Sequence, residues 1–133
     1  MPLSAAILTR LARADTAALG PHAIALMNEL KLATKGPLGL SCVILAATII
    51  DVVQHEDTGP AGYMDGMAFA YAGNKAALGW LRGRRNSILH HEGAADGLMG
   101  EAPAIEWHAA DAERAIGCLL DYLDDLDVGA DTN

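Results

Sequence analysis

Aromatic residues are scarce in this chain, at 5% of its 133 residues, although 52% are apolar. The core must then be built from Ala, Leu, Ile, Val and Met. Such a composition suits helix packing better than sheets, where aromatic and β-branched side chains prevail. Cysteine is nearly absent as well. Cys42 and Cys118 stand alone, without CxxC or metal-like spacing, so a disulfide framework is not expected and two buried free thiols in a reducing compartment are. No apolar run reaches membrane length: Leu38 to Val53 has 16 residues and includes Asp51, whereas a span needs about 20. MPLSAAILTRLARAD, at the start, lacks a charged segment ahead of a long apolar one and is not read as a signal peptide. Basic residues are few, 9 against 17 acidic, for a net charge of -8. Broad nucleic-acid binding needs a basic face, so DNA is not an expected ligand, although a small local basic site remains open. The expectation is one cytoplasmic domain over 1–133, with no membrane partner and no cofactor.

What is present is helical periodicity. Ser4 is a candidate cap for a first helix reaching about Ala18, with Ile7, Leu8 and Leu11 at helical spacing. Gly20 and Pro21 break the chain, and Pro21 suits the first turn of a second helix to about Thr34. Its predicted apolar stripe is Ile24, Met27, Leu30 and Leu32. A third helix, about Leu40 to Glu56, is apolar nearly all round and should be central. EDTGPAGY reads as a loop from its Gly and Pro content.

A fourth helix is predicted from about Met64 or Met67 to His90. Gly73, Gly79 and Gly83 either let a neighbour approach closely or break that helix. EGAADGLMGEAP reads as loop, and GLMG lacks the strand, lysine and helix of a phosphate loop. The last helix, about His108 to Leu126, carries Ile116, Leu119, Leu120, Leu123 and Leu126 on one face. Residues 127–133 read as a flexible acidic tail, since acids in a last turn oppose the helix dipole. No alternating strand pattern is found. The fold expected is an all-α, up-and-down bundle of four to five helices.

Against the acidic background, RRNSILHH (Arg84 to His91) gathers two cations, an amide and two imidazoles. Arg82, Arg84 and Arg85 are three of the six arginines. On a helix, Arg82, Asn86 and His90 share one stripe, with Ser87 and His91 on the next. Arg84 and His91, seven apart, also share a face.

The spacing R-N-S-I-L-H, Arg85 to His90, resembles the Rx4-6H signature of the HEPN superfamily (the higher eukaryotes and prokaryotes nucleotide-binding domain). Many members carry Asn directly after the Arg. SCVILAATIIDVV is similar to the core helix of that family, which ends in an acid, here Asp51. The order of core helix, loop, motif helix, turn and amphipathic last helix also agrees, over roughly Leu38 to Leu126. The motif arginine can be either Arg84 or Arg85, and GEAPAIEW lengthens the connection after the motif.

The resemblance implies a HEPN-like bundle and a metal-independent endoribonuclease, or a partner protein derived from one, with two subunits lining one cleft. A toxin of a toxin–antitoxin pair or another defence protein is the implied setting. The candidate catalytic residues are then Arg85, Asn86 and His90, with Arg84, His91 and Asp51 in reserve. These residue types suit the chemistry. Imidazole transfers protons near neutral pH, guanidinium holds a phosphate, and the amide can orient either.

Other readings compete. A cationic helix end also complements the helix dipole. Asp51 can pair with an arginine such as Arg85 or simply be exposed at a helix end. His90, His91 and Glu92 do not form HExxH, and no metal is expected. His22, His55 and His108 fall near predicted helix ends and read as surface residues. Trp80 and Trp107 read as packing or interface residues, with Trp80 a candidate for a dimer seam. The alternatives to a nuclease are a non-catalytic interaction module, binding for example a nucleotidyltransferase-like protein, and a bundle with a small-ligand cavity among Ala, Gly and Met. Under the nuclease reading the partners are a second copy and RNA, and the motif is exposed in a cleft, because three adjacent arginines outnumber the interior acid Asp51.

Overall fold

The computed structural model describes residues 3–17, 19–36, 38–65, 75–90 and 104–131; within them, side chains at 56–65, 90, 104–107 and 126–131 are not described. The described residues form five helices: α1 (Ala5–Ala12), α2 (Pro21–Ala33), α3 (Gly39–Asp65), α4 (Lys75–His90) and α5 (Ala104–Asp131). No strand occurs among the described residues. The protein is an all-α bundle, as the scarcity of aromatic residues predicts.

The first helix starts follow the sequence closely, whereas α5 begins at Ala104, ahead of the expected His108. Ser4 caps α1, its Oγ accepting from the Ile7 N–H at 3.2 Å. Pro21 occupies the first turn of α2, where the missing N–H costs nothing.

The ends differ from expectation. α1 stops at Ala12, six residues before Ala18, because Asp15 accepts from the Ala17 N–H at 2.9 Å and stabilises a turn instead. α3 does not stop at Glu56. It continues through Gly59 and Pro60 to Asp65, across the predicted loop EDTGPAGY. Pro60 can forfeit one bond without ending a helix already established over twenty residues, since propagation is easier than nucleation. α5 likewise runs through the predicted acidic tail to Asp131. The predicted loop at 92–103, the start of the fourth helix and Gly73 lie outside the described residues.

α3 and α5 form the centre. Val43, Ala46, Ile49 and Ile50 of α3 meet Ala115, Ile116, Leu119 and Tyr122 of α5 in one buried cluster. Burying each large aliphatic side chain stabilises the fold by about 1.5–3 kcal/mol before entropy is counted. Gly39 makes the entry to this seam possible: a Cβ there would meet the backbone oxygen of His108 at 2.6 Å. α2 adds Ala23, Met27, Leu30 and Ala33, so its buried stripe is displaced from the predicted one. Leu32 is 59% exposed. The predicted stripe on α5 is observed for Ile116, Leu119, Leu120 and Leu123.

α4 lies against both central helices and runs opposite to α5. Ala77 lies beside Cys118, Trp80 beneath Arg114, and Arg84 at Asp111. Among the described residues, no helix is long and apolar enough to cross a membrane.

Candidate functional site

The motif occupies the C-terminal half of α4. At about 100° per residue, Ala77, Leu81 and Ile88 point toward the core; Leu81 is fully buried and the other two pack partly buried against it. Arg84 then falls on the α5 side and Arg85 on the α3 side.

Arg84 Nε donates to Asp111 Oδ2 at 2.5 Å, with the side chains 16% and 23% exposed. Arg85 Nη1 donates to Asp51 Oδ2, with the side chains 18% and 36% exposed. The structure thus brings Asp51 and Arg85 together, the pairing anticipated for the acid at the end of the apolar run. It separates Arg84 from that acid. Arg85 Nε is buried and meets no acceptor among the described residues, which makes its counter-charge on Asp51 more important.

The second carboxylate, Asp111, was missed by sequence reasoning. HAADAERA carries no signal for which face of α5 meets α4. Its presence corrects the expectation of an open, exposed motif: two of the three clustered arginines are neutralised and mostly buried. Arg82 alone of the three is exposed. Asn86 is half-buried, on the face between Arg85 and the solvent side. His90 ends α4, but its side chain and all of His91 lie outside the described residues, as does Glu92.

Two further expectations change. Trp80 is half-buried against the core, with the Arg114 guanidinium 3.9 Å above its ring. It belongs to the α4–α5 contact. α4 is also unbroken at Gly79 and Gly83. Among the described residues, neither glycine has a neighbour within 4 Å of the point where a Cβ would sit. Among the described residues, these glycines accommodate no close helix.

The gap beside the Asp51–Arg85 pair is about 10 Å³, bounded by Ile50, Leu78, Leu81 and Arg82. That is space for about one water molecule, not for a nucleotide. A larger hollow of about 460 Å³ lies between α1 and α5, floored by Leu120 and Leu123 and edged by Arg10 and Arg13. There Arg10 holds Asp121 and Asp124 at 2.7 and 2.8 Å, and its pKa is raised by those two bonds. This hollow is not lined by the Gly and Met residues anticipated for a ligand cavity.

His22 and His55 are exposed, as expected, and His108 is half-buried. His55 Nδ1 lies 2.6 Å from the Asp51 carbonyl oxygen, so Nδ1 carries the proton in that contact. Cys42 and Cys118 are buried free thiols, and burial pushes the Cys42 thiol up to about 11. Among the described residues, no three His, Cys, Asp or Glu side chains are grouped to hold a metal ion. No protein-family model, curated protein or solved structure matches the chain.

Proposed function

We propose that this chain is a HEPN-like, metal-independent endoribonuclease that acts as a homodimer. The observation that carries the reading is the Arg85–Asp51 ion pair. It ties the arginine of the R-N-x3-H pattern to the acid near the end of the apolar run in α3. The neighbouring Asn86 is thereby set toward the solvent side of α4.

The chemistry follows from the residue types. A 2′-oxygen attacks its own 3′-phosphorus, forming the P–O2′ bond as the P–O5′ bond breaks. One His90 takes the 2′-hydroxyl proton, and His90 of a second copy gives a proton to the leaving 5′-oxygen. A two-fold axis supplies both imidazoles from one surface. The solvent-touching part of the Arg85 guanidinium, together with Asn86, steadies the phosphate as charge builds on it. The products are a 2′,3′-cyclic phosphate and a 5′-hydroxyl. A role as a toxin or defence protein, in the cytoplasm, is part of the same proposal.

Cleavage of single-stranded RNA in EDTA, comparing wild type with His90→Ala, tests this. The expected loss is about 10²–10⁴-fold, with the helical content unchanged. Equal cleavage by both proteins contradicts the assignment.

A second reading has its own support. Arg84 and Arg85 are both neutralised by carboxylates of the same chain, and the net charge is -8. A non-catalytic module that binds a protein partner fits those facts, and a wild type without any cleavage activity favours it.

A further inference from the structure

α4, KAALGWLRGRRNSILH, contains four cations and no carboxylate, in a chain with a net charge of -8. Two of those cations, Arg84 and Arg85, are cancelled by Asp111 and Asp51. The other two, Lys75 and Arg82, are exposed, and neither meets a carboxylate among the described residues. Seven residues separate them, which is 20° from two full helical turns, so they share a face about 10 Å apart. Asn86, eleven residues after Lys75, falls within about 20° of the same line. Gly79 lies between the two cations and Gly83 beside Arg82, each exposed and with no side chain to obstruct the approach of a strand.

We propose that this outward face of α4, Lys75–Gly79–Arg82–Asn86, is a track for the phosphate backbone of single-stranded RNA. The proposal rests on the nuclease reading and extends substrate binding from Asn86 of the R-N-x3-H pattern to Lys75, Gly79 and Arg82 outside it. A phosphate approaching Arg84 meets a charge already cancelled, and Arg85, tied to Asp51, offers only the solvent-touching part of its guanidinium. One approaching Arg82 meets a guanidinium that no carboxylate among the described residues cancels, and the bare glycines let the sugar–phosphate chain lie close to the helix. Asn86 can donate its amide to a neighbouring phosphate or sugar oxygen. Each cation lies near an acid already held by an arginine: Arg82 borders the gap beside Asp51, which Arg85 holds, and Lys75 lies two residues from Ala77, which meets α5 at Cys118, three residues from the Asp121 that Arg10 holds. The two cations therefore carry comparable shares of the binding.

The test is the salt dependence of binding to a fluorescent 2′-O-methyl oligonucleotide, which lacks the attacking hydroxyl and stays uncut. Each phosphate contact on a single strand contributes about 0.7 to the slope of log affinity against log salt. Arg82→Ala is expected to weaken binding several-fold and reduce the slope by about 0.7. Lys75→Ala should do about the same, and the double variant about as much as the sum. Arg84→Ala, with its fold checked by circular dichroism, should leave the slope unchanged. Wild-type binding with an unaltered slope in the double variant overturns the track while leaving the nuclease reading in place. Absence of RNA binding by the wild type overturns both. Tighter binding of polyglutamate at this face, displacing the oligonucleotide, overturns the RNA assignment in favour of an acidic protein partner.

Discussion

The two sides of α4 solve opposite problems. The inner side carries Arg84 and Arg85 into the half-buried clefts beside α5 and α3, where each is met by one carboxylate. The outer side carries Lys75 and Arg82 into water, with glycines between and beside them. Half-buried charge has to be paired because its desolvation is costly, whereas exposed charge does not. The same residue type therefore has two roles within four positions. Arg84 and Arg85 fix the angle at which α4 rests on the bundle, and Arg82 faces water with no carboxylate partner among the described residues.

Glycine gives the sharpest way to break this comparison. Gly39→Ala places a Cβ 2.6 Å from the His108 backbone oxygen. Backbone cannot give way as a side chain can, so a loss of about 3 kcal/mol is expected in urea unfolding. A neutral result would show that the α3–α5 seam is looser than described. Removing the inner counter-charge comes next. Asp51→Ala leaves Arg85 mostly buried with Nε unpartnered among the described residues. The expected loss is about 2 kcal/mol, below the fully buried range because Asp51 is 36% exposed. Asp51→Asn should cost less, since the amide oxygen still accepts.

The outer face should respond in the opposite direction. Gly79→Ala and Gly83→Ala meet open space among the described residues. Each should stabilise the monomer by roughly 0.5–1 kcal/mol through helix propensity. If either instead weakens self-association in sedimentation, the bare helix face is used by a second copy. The smallest effect concerns Cys42. Its pKa, raised by burial to about 11, means that the folded state keeps a proton which the unfolded state releases near pH 9. The contribution of that thiol to stability is full below about pH 9 and falls as pH rises toward 11. Below pH 9, a thiol reagent should label Cys42 only as fast as the protein opens. Rapid labelling of the folded protein at pH 8 would contradict the burial.

Much of this fold was legible because local chemistry agrees with tertiary packing. Ser4 and Pro21 begin helices where capping rules place them, and the Ile116 to Leu123 stripe faces the core. The Arg85–Asp51 pair was one of two outcomes open to an acid at the end of an apolar run. The rest depended on which faces meet. Asp111 has an ordinary surface sequence around it, and only the packing of α4 on α5 makes it a partner for Arg84. Leu32 sits at a plausible helical spacing but falls just off the α2 stripe, because Ala23 and Ala33 let α2 rest closer to α3. Helix ends were least legible. Gly59 and Pro60 in α3, and the acids at the end of α5, are unfavourable locally, yet each helix passes through them.

The division of α4 into paired and unpaired arginines is tested most directly by urea unfolding of three single variants. Arg84→Ala and Arg85→Ala are each predicted to lower stability by about 1–3 kcal/mol, since each leaves a half-buried carboxylate without its donor. Arg82→Ala is predicted to change it by less than about 0.5 kcal/mol, as for an ordinary exposed side chain. A loss on Arg82→Ala as large as the other two, or equal small effects from all three, would contradict the account.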